Sequence, residues 1–245
     1  MTSADFWIPA AWSAPGNVVA GCSLRTGGVS TGVYASLNLG EHVGDDPDAV
    51  RTNRQRLATA CNLPSEPLWL SQVHGTKVLE DPTRDAEADA SLTRQVDRVC
   101  VVMVADCLPV LLVSEDGREV AAAHAGWRGL SAGVLENTVC AFNAPPQRIL
   151  AWLGPAISQA AFEVGGEVRE AFLQDDLSTA DCFVPNERGR WQADLYALAR
   201  RRLQTAGVHQ VFGGGWCTHE DSARFFSYRR DGQCGRMAAF VFRNA

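Results

Sequence analysis

The stretch RVCVVMVADCLPVLLV, residues 98–113, is the most apolar run of the chain, and its reading decides the fold. It is rich in β-branched residues and too short to cross a membrane. Pro109 interrupts it, and proline has no N–H to give to a sheet. The run therefore reads as two buried strands meeting at ADCLP, residues 105–109.

Further strands follow from the same logic on both sides. VVAGCSLR (18–25), LWLSQVHG (68–75), REVAAAHAG (118–126), RILAWLGP (148–155) and VHQVFGGGW (208–216) are apolar runs ending at glycine, proline or a polar loop. RFFSYRRDG (224–232) and RMAAFVFR (236–243) read as two final strands. Helices are expected over about 47–61, started by Asp46-Pro47 with Val50, Leu57 and Cys61 on one face, and over 131–142, capped by Ser131. Two more are expected late in EVGGEVREAFLQ (163–174) and in LYALARRRLQTAG (195–207), the latter capped by Asp194 and ended by Gly207. The order is no clean βαβ alternation. That predicts an α/β fold with mixed sheets, in one domain with no repeat or linker.

The formal net charge is −6 and no basic block of five appears, so nucleic acid is not an expected partner. MTSADFWIPAAW at the start has neither a basic segment nor a continuous apolar one. No run is long enough for a membrane span, so a cytoplasmic protein acting on a small molecule is expected. The eight cysteines contain no C-x-x-C pair and read as reduced thiols, most of them core residues.

His74 in SQVHG, Cys107 in ADCLP and His124 in AHAGW each end an apolar strand beside glycine or proline. Two imidazoles and a thiolate suit zinc, and three protein ligands with an open position suit a catalytic site. The spacings match no short zinc motif, so on pattern alone a core or surface role stands beside the ligand role.

Several segments in order, RTGGVSTGVYASLNLGEHVGDD, SQVHGTKV, ADCLPVLL, AHAGWRG, LGPAIS and FFSYRRDG with GRMAAF, closely resemble the YfiH-like, or laccase-domain, family over roughly residues 6 to 242. The resemblance implies a four-layer α/β/β/α sandwich, distantly like cytotoxic necrotizing factor toxins. It implies zinc on His74, Cys107 and His124. One departure is Trp216, where the family usually has a polar or basic residue before the Cys-Thr pair; it bears on the pocket wall and on substrate preference.

Family labels conflict. A multicopper polyphenol oxidase needs more histidines than the five present, although copper can replace zinc at such ligands in vitro. The resemblance also implies a purine nucleoside phosphorylase acting on adenosine, inosine and methylthioadenosine, with adenosine deaminase activity. Phosphorolysis needs an anion site. The AGWRG turn before the helix expected at 131 offers backbone N–H groups, and Arg128, Arg25 and Arg229 are candidate clamps, against a solvated-surface role for each. Asp106 is a candidate general base or a support for Cys107, unless it only satisfies turn donors. Cys107 with His124 as a nucleophile–base pair would instead serve a thiol hydrolase or a peptidoglycan-editing amidase on a UDP-muramyl precursor. A metal-stabilised binding module is the non-enzymatic alternative. Trp127 reads as core rather than as a stacking platform.

Overall fold

The computed structural model describes residues 6–245. Residues 1–5, on which the reading of the N-terminal segment partly rests, lie outside them. The decisive apolar run divides as expected into β5 (Cys100–Val104) and β6 (Leu108–Ser114), but the two strands enter different sheets.

One sheet is antiparallel and has the order β1 (Trp7–Pro9), β2 (Val18–Ser23), β13 (Met237–Arg243), β5. The larger sheet has the order β12 (Gln210–Gly213), β8 (Ile149–Leu153), β6, β7 (Val120–Ala125), β4 (Ala90–Thr93), β3 (Val78–Glu80). Its outer pairs are parallel and its centre antiparallel, so the mixed-sheet expectation holds. Short β9 (Glu163–Val164), β10 (Phe183–Pro185) and β11 (Trp191–Ala193) make a third sheet.

Strand periodicity sorts side chains into separate cores. Leu108, Val110 and Leu112 of β6 and Ala121, Ala123 and Ala125 of β7 face a core built with α2 (Trp127–Ala132), α3 (Val134–Cys140), α4 (Gly166–Leu173) and α5 (Leu195–Thr205). The alternate residues, Leu111, Val113, Val120 and Ala122, meet Cys22, Val102, Val104 and Val241 of the antiparallel sheet. A further core joins that sheet's other side, Val101, Met103, Phe240 and Phe242, to Leu57 of α1 (Pro47–Ala60). Each leucine fully buried in these layers contributes about 1.5–3 kcal/mol of hydrophobic stabilisation.

Asp46 caps α1 by accepting from the Asp48 N–H, and Asp194 caps α5 by accepting from Ala197 N–H, both as expected. Three expectations are corrected. Residues 68–75 form no strand; one bridge, Ser71 to Glu87, is the only sheet pairing given there among the described residues. The helix expected over 131–142 is two helices, broken where Gly133 turns left-handed at φ 99°, and Ser131 lies inside α2 instead of capping. RFFSYRRDG is not a strand. Ser227 caps the short helix α6 (Tyr228–Asp231), its hydroxyl accepting from Arg230 N–H.

A candidate metal centre at the seam between two sheets

Cys107 immediately precedes β6, and His124 lies near the end of β7, opposite Pro109. Both share the strand parity of Leu111 and Val120, so both side chains emerge on the side facing the second sheet. The β6–β7 hairpin thus brings together two groups far apart in sequence. Pro109 is tolerated here because its backbone faces Gly154, whose N–H it accepts at 2.9 Å and whose carbonyl takes the Tyr196 hydroxyl at 3.2 Å, while the His124 N–H donates to the Asp89 carbonyl at 2.7 Å.

His74 arrives from a loop. Its backbone is left-handed, φ 61°, a conformation that costs a non-glycine residue about 1–2 kcal/mol. The buried carboxylate of Asp89 holds it there. It accepts the N–H groups of Val73 at 3.2 Å, His74 at 2.9 Å and Gly75 at 2.7 Å. The same carboxylate accepts His124 Nδ1–H at 2.8 Å, which turns Nε2 toward the site.

Cys107 Sγ lies 3.8 Å from His74 Nε2, and the ligand atoms of His74, Cys107 and His124 all fall within 4.8 Å of one another. Zinc bonds of about 2.0–2.3 Å to N and S ligands require separations of about 3.5 Å, so a small contraction closes the set around one ion. The imidazoles stand edge to face in contact, with centroids 4.8 Å apart. Gly126 makes the crowding feasible. A Cβ there would stand 2.9 Å from His74 Cδ2 and 3.1 Å from Cys107 Sγ. The first glycine of AGWRG therefore yields space to the candidate ligands, and the second, Gly129, to the Gly75 carbonyl.

Burial alone would raise the Cys107 thiol, but the neighbouring His124 charge and hydrogen bonds from both imidazoles bring it down to about 6. Burial likewise opposes protonation of His124, yet the Cys107 thiolate and Asp89 raise it to about 9. The thiolate form, the one a metal takes, is favoured before any metal binds.

The three side chains grade from exposed His74 through half-buried Cys107 to buried His124, and they line a cavity of about 830 Å³. The rest of its wall includes His42, Arg54, Trp69, Met103, Tyr228 and Arg236.

The structure does not bring the other candidates to this cavity. Asp106, at φ 88°, accepts from Thr218 Oγ1 and from Arg229 N–H, each at 2.6 Å. Both carboxylate oxygens are thus engaged in fixing the turn that carries Cys107. The Arg25 guanidinium donates to the carbonyls of Ala35 and Ser222. Arg229 donates to the Glu163 carbonyl at 2.7 Å. Arg128 is exposed and lies over the Trp127 ring at 4.5 Å. Trp127 packs against the helix-side core, as expected. Trp216 stacks edge-on against Trp152 and lines a different cavity of about 690 Å³ with Tyr196 and Cys217. The sequence reading missed Asp89, Arg54 and Arg236. The one available signal for Asp89 was a carboxylate immediately before a small-residue strand, in ADAS.

Residues 19–244 match the family model described as multi-copper polyphenol oxidoreductase laccase. A protein of Escherichia coli named purine nucleoside phosphorylase YfiH is 55% identical over 234 residues, covering 94% of this chain and 96% of that one. A purine nucleoside phosphorylase of Haemophilus influenzae is 48% identical over 94% of this chain and 96% of its own. The crystal structure of a Neisseria meningitidis protein superposes with a TM-score of 0.93 at 48% identity, covering 98% of this chain and 99% of that one. That of YlmD from Geobacillus stearothermophilus reaches 0.91 at 30% identity, covering 100% and 98%. Sequence over nearly the whole length and fold agree: this chain belongs to the laccase-domain family, together with the proteins named YfiH.

Proposed function

We propose that the chain is a zinc-dependent purine nucleoside phosphorylase, acting on adenosine, inosine and methylthioadenosine and deaminating adenosine alongside. The observation that carries the reading is the cavity that joins the His74, Cys107 and His124 ligand set to an aromatic and cationic wall, in a chain about half identical to proteins named for that activity. Its size, about 830 Å³, is ample for a nucleoside. The metal identity, the substrate list and the deaminase activity are parts of the proposal, as is a small-molecule enzyme of the cytoplasm. Among the described residues no helix is long and apolar enough to cross a membrane.

His74, Cys107 and His124 would hold the ion through Nε2, Sγ and Nε2. A zinc ion there would supply Lewis-acid polarisation at an open fourth position. Asp89 fixes the tautomer of His124 and the backbone of His74, so the ligands need little rearrangement. Tyr228 is exposed at the cavity and offers an aromatic face suited to a purine, while buried Trp69 and Met103 back the wall. Gln72 hydrogen-bonds both ways with the Met103 backbone, which fixes that wall. Asp106 keeps the Cys107 turn in place.

The test is purine release from each nucleoside, with and without phosphate, by zinc-loaded and chelated protein, with products separated by chromatography. Phosphate-dependent release of free base, lost on chelation, is expected. Turnover that ignores both phosphate and metal sinks the reading.

A second reading has one specific observation in its favour. Cys107, His124 and Asp89 form a thiol–imidazole–carboxylate series, with the thiol brought down to about 6. That is the arrangement of an activated nucleophile. It would serve amide hydrolysis of a cell-wall precursor. Amidase activity that survives complete chelation, and is lost in Cys107→Ala, is the outcome that would select it.

A further inference from the structure

The charges on the cavity wall are unevenly compensated. Glu41 is held by Arg54 at 3.0 Å and by Arg84 at 3.2 Å. Asp85 lies 3.5 Å from Arg84. Arg54 is already paired with a carboxylate. Its Nε and Nη2 donate to the Leu39 carbonyl, its Nη1 to Glu41, and its plane lies over Trp69 at 4.0 Å.

Arg236 differs. Its Nη1 donates to the carbonyls of Cys234 at 2.9 Å and Gly235 at 3.1 Å, and no carboxylate pairs with it among the described residues. Those two bonds, with the backbone bond to Asn38 at 2.9 Å, fix the base of the side chain and one edge of the guanidinium. Nε and Nη2 stay available as a parallel donor edge, the geometry that binds two oxygens of one anion. His42 stands beside it. A Cβ on Gly40 would come 2.9 Å from Arg236 Cγ and 3.4 Å from His42 Cε1, so both side chains border the same glycine, which leaves them room. Burial, and then Arg236 and Arg54, depress protonation of His42, which marks the local field as positive. A neutral imidazole still offers one N–H.

We propose that Arg236, with His42 beside it, forms the anion subsite of the cavity and holds inorganic phosphate for attack on the nucleoside. The inference rests on the phosphorylase reading and deepens it. It moves the clamp from Arg128, Arg25 and Arg229, which face elsewhere, to a cation that shares the cavity with the ligand set. In the step served, an oxygen of monohydrogen phosphate bonds to the sugar C1′. The C1′–N9 bond breaks, its electron pair goes to the purine, and the proton of the phosphate ends on the purine nitrogen. The products are the free base and the sugar 1-phosphate, with no oxidant or reductant needed. Arg236 binds the dianion before and after transfer.

The test uses the zinc-loaded full chain and inorganic phosphate as the probe. Calorimetric titration is expected to show one phosphate site, weakened about tenfold to a hundredfold in Arg236→Met and partly restored in Arg236→Lys. In steady state, Arg236→Met is expected to raise KM for phosphate by a similar factor while KM for inosine stays within about twofold. His42→Asn, at an exposed position, is expected to raise KM for phosphate less, and it tests the subsite even if the arginine variants fold poorly. Phosphate affinity unchanged in both Arg236→Met and His42→Asn overturns the assignment, as does its loss in Arg128→Met instead. Loss of cleavage of a nucleoside monophosphate with KM for inorganic phosphate unchanged also overturns it, since the phosphate recognised would then be the substrate's own. Phosphate binding that depends on Arg236 in a protein that releases no purine keeps the subsite and removes the phosphorylase reading.

Discussion

His124 and Asp89 are joined twice: the imidazole Nδ1–H donates to the carboxylate at 2.8 Å, and the His124 backbone N–H donates to the Asp89 carbonyl at 2.7 Å. The carboxylate also gathers the three N–H groups that set the His74 backbone. One buried residue therefore orients two of the three ligands. Asp89→Asn replaces one accepting oxygen with a donor that faces N–H groups. Zinc affinity is expected to fall about 10–100-fold, measured by competition with a chelating dye. Unchanged affinity removes Asp89 from the site.

His124→Ala and Cys107→Ser each remove one of three ligands. The surrounding β6 and β7 are buried and densely paired, so fold is expected to persist in circular dichroism while bound zinc and purine release are lost together. Global unfolding on chelation of the wild-type protein would favour the binding-module reading instead.

Gly126 isolates crowding from backbone effects. Its φ of −63° suits any residue, and it makes no side-chain cap. Gly126→Ala is thus expected to leave helix α2 intact but to push apart His74 and Cys107. Zinc affinity should fall with little change in melting temperature. Equal zinc affinity in the two proteins would mean the ligands have slack.

Cys107 should be the reactive thiol of the chelated protein. A lowered value means the thiolate survives acidification until about pH 6, so the alkylation rate should stay high at neutral pH and halve near that value. Cys61 and Cys100, pushed by burial to about 12, should stay unmodified until the protein unfolds. Peptide mapping after iodoacetamide across pH checks this, and zinc should protect Cys107 alone.

The sequence was most legible where local chemistry and tertiary packing agree. The split at Pro109, the Asp46 and Asp194 caps and the strand into His124 follow from side-chain type and period. The cluster of His74, Cys107 and His124 was visible because each member stands at an apolar segment's end. The stretch 68–75 misled because side chains take over the work of a ladder: the Gln72 amide pairs with the Met103 backbone, and Asp89 gathers the N–H groups of 73–75. Periodicity carries no trace of such bonds. The arginines misled for a related reason. Arg25, Arg128, Arg229 and Arg236 all stand in or beside the motifs, and only the folded arrangement shows that Arg236 reaches the cavity, with Arg54 from α1, while the other three are turned elsewhere.

The cavity lies across the seam between two sheets that share a core. Cys107 and His124 hang from the large sheet, whereas Met103 and Val104 come from β5, Arg236 from the approach to β13 and Arg54 from α1. A molecule that grips both the metal end and the arginine end is a clasp across that joint. It couples the two halves mechanically, and tight binding there should slow amide exchange in β5 and β7 together.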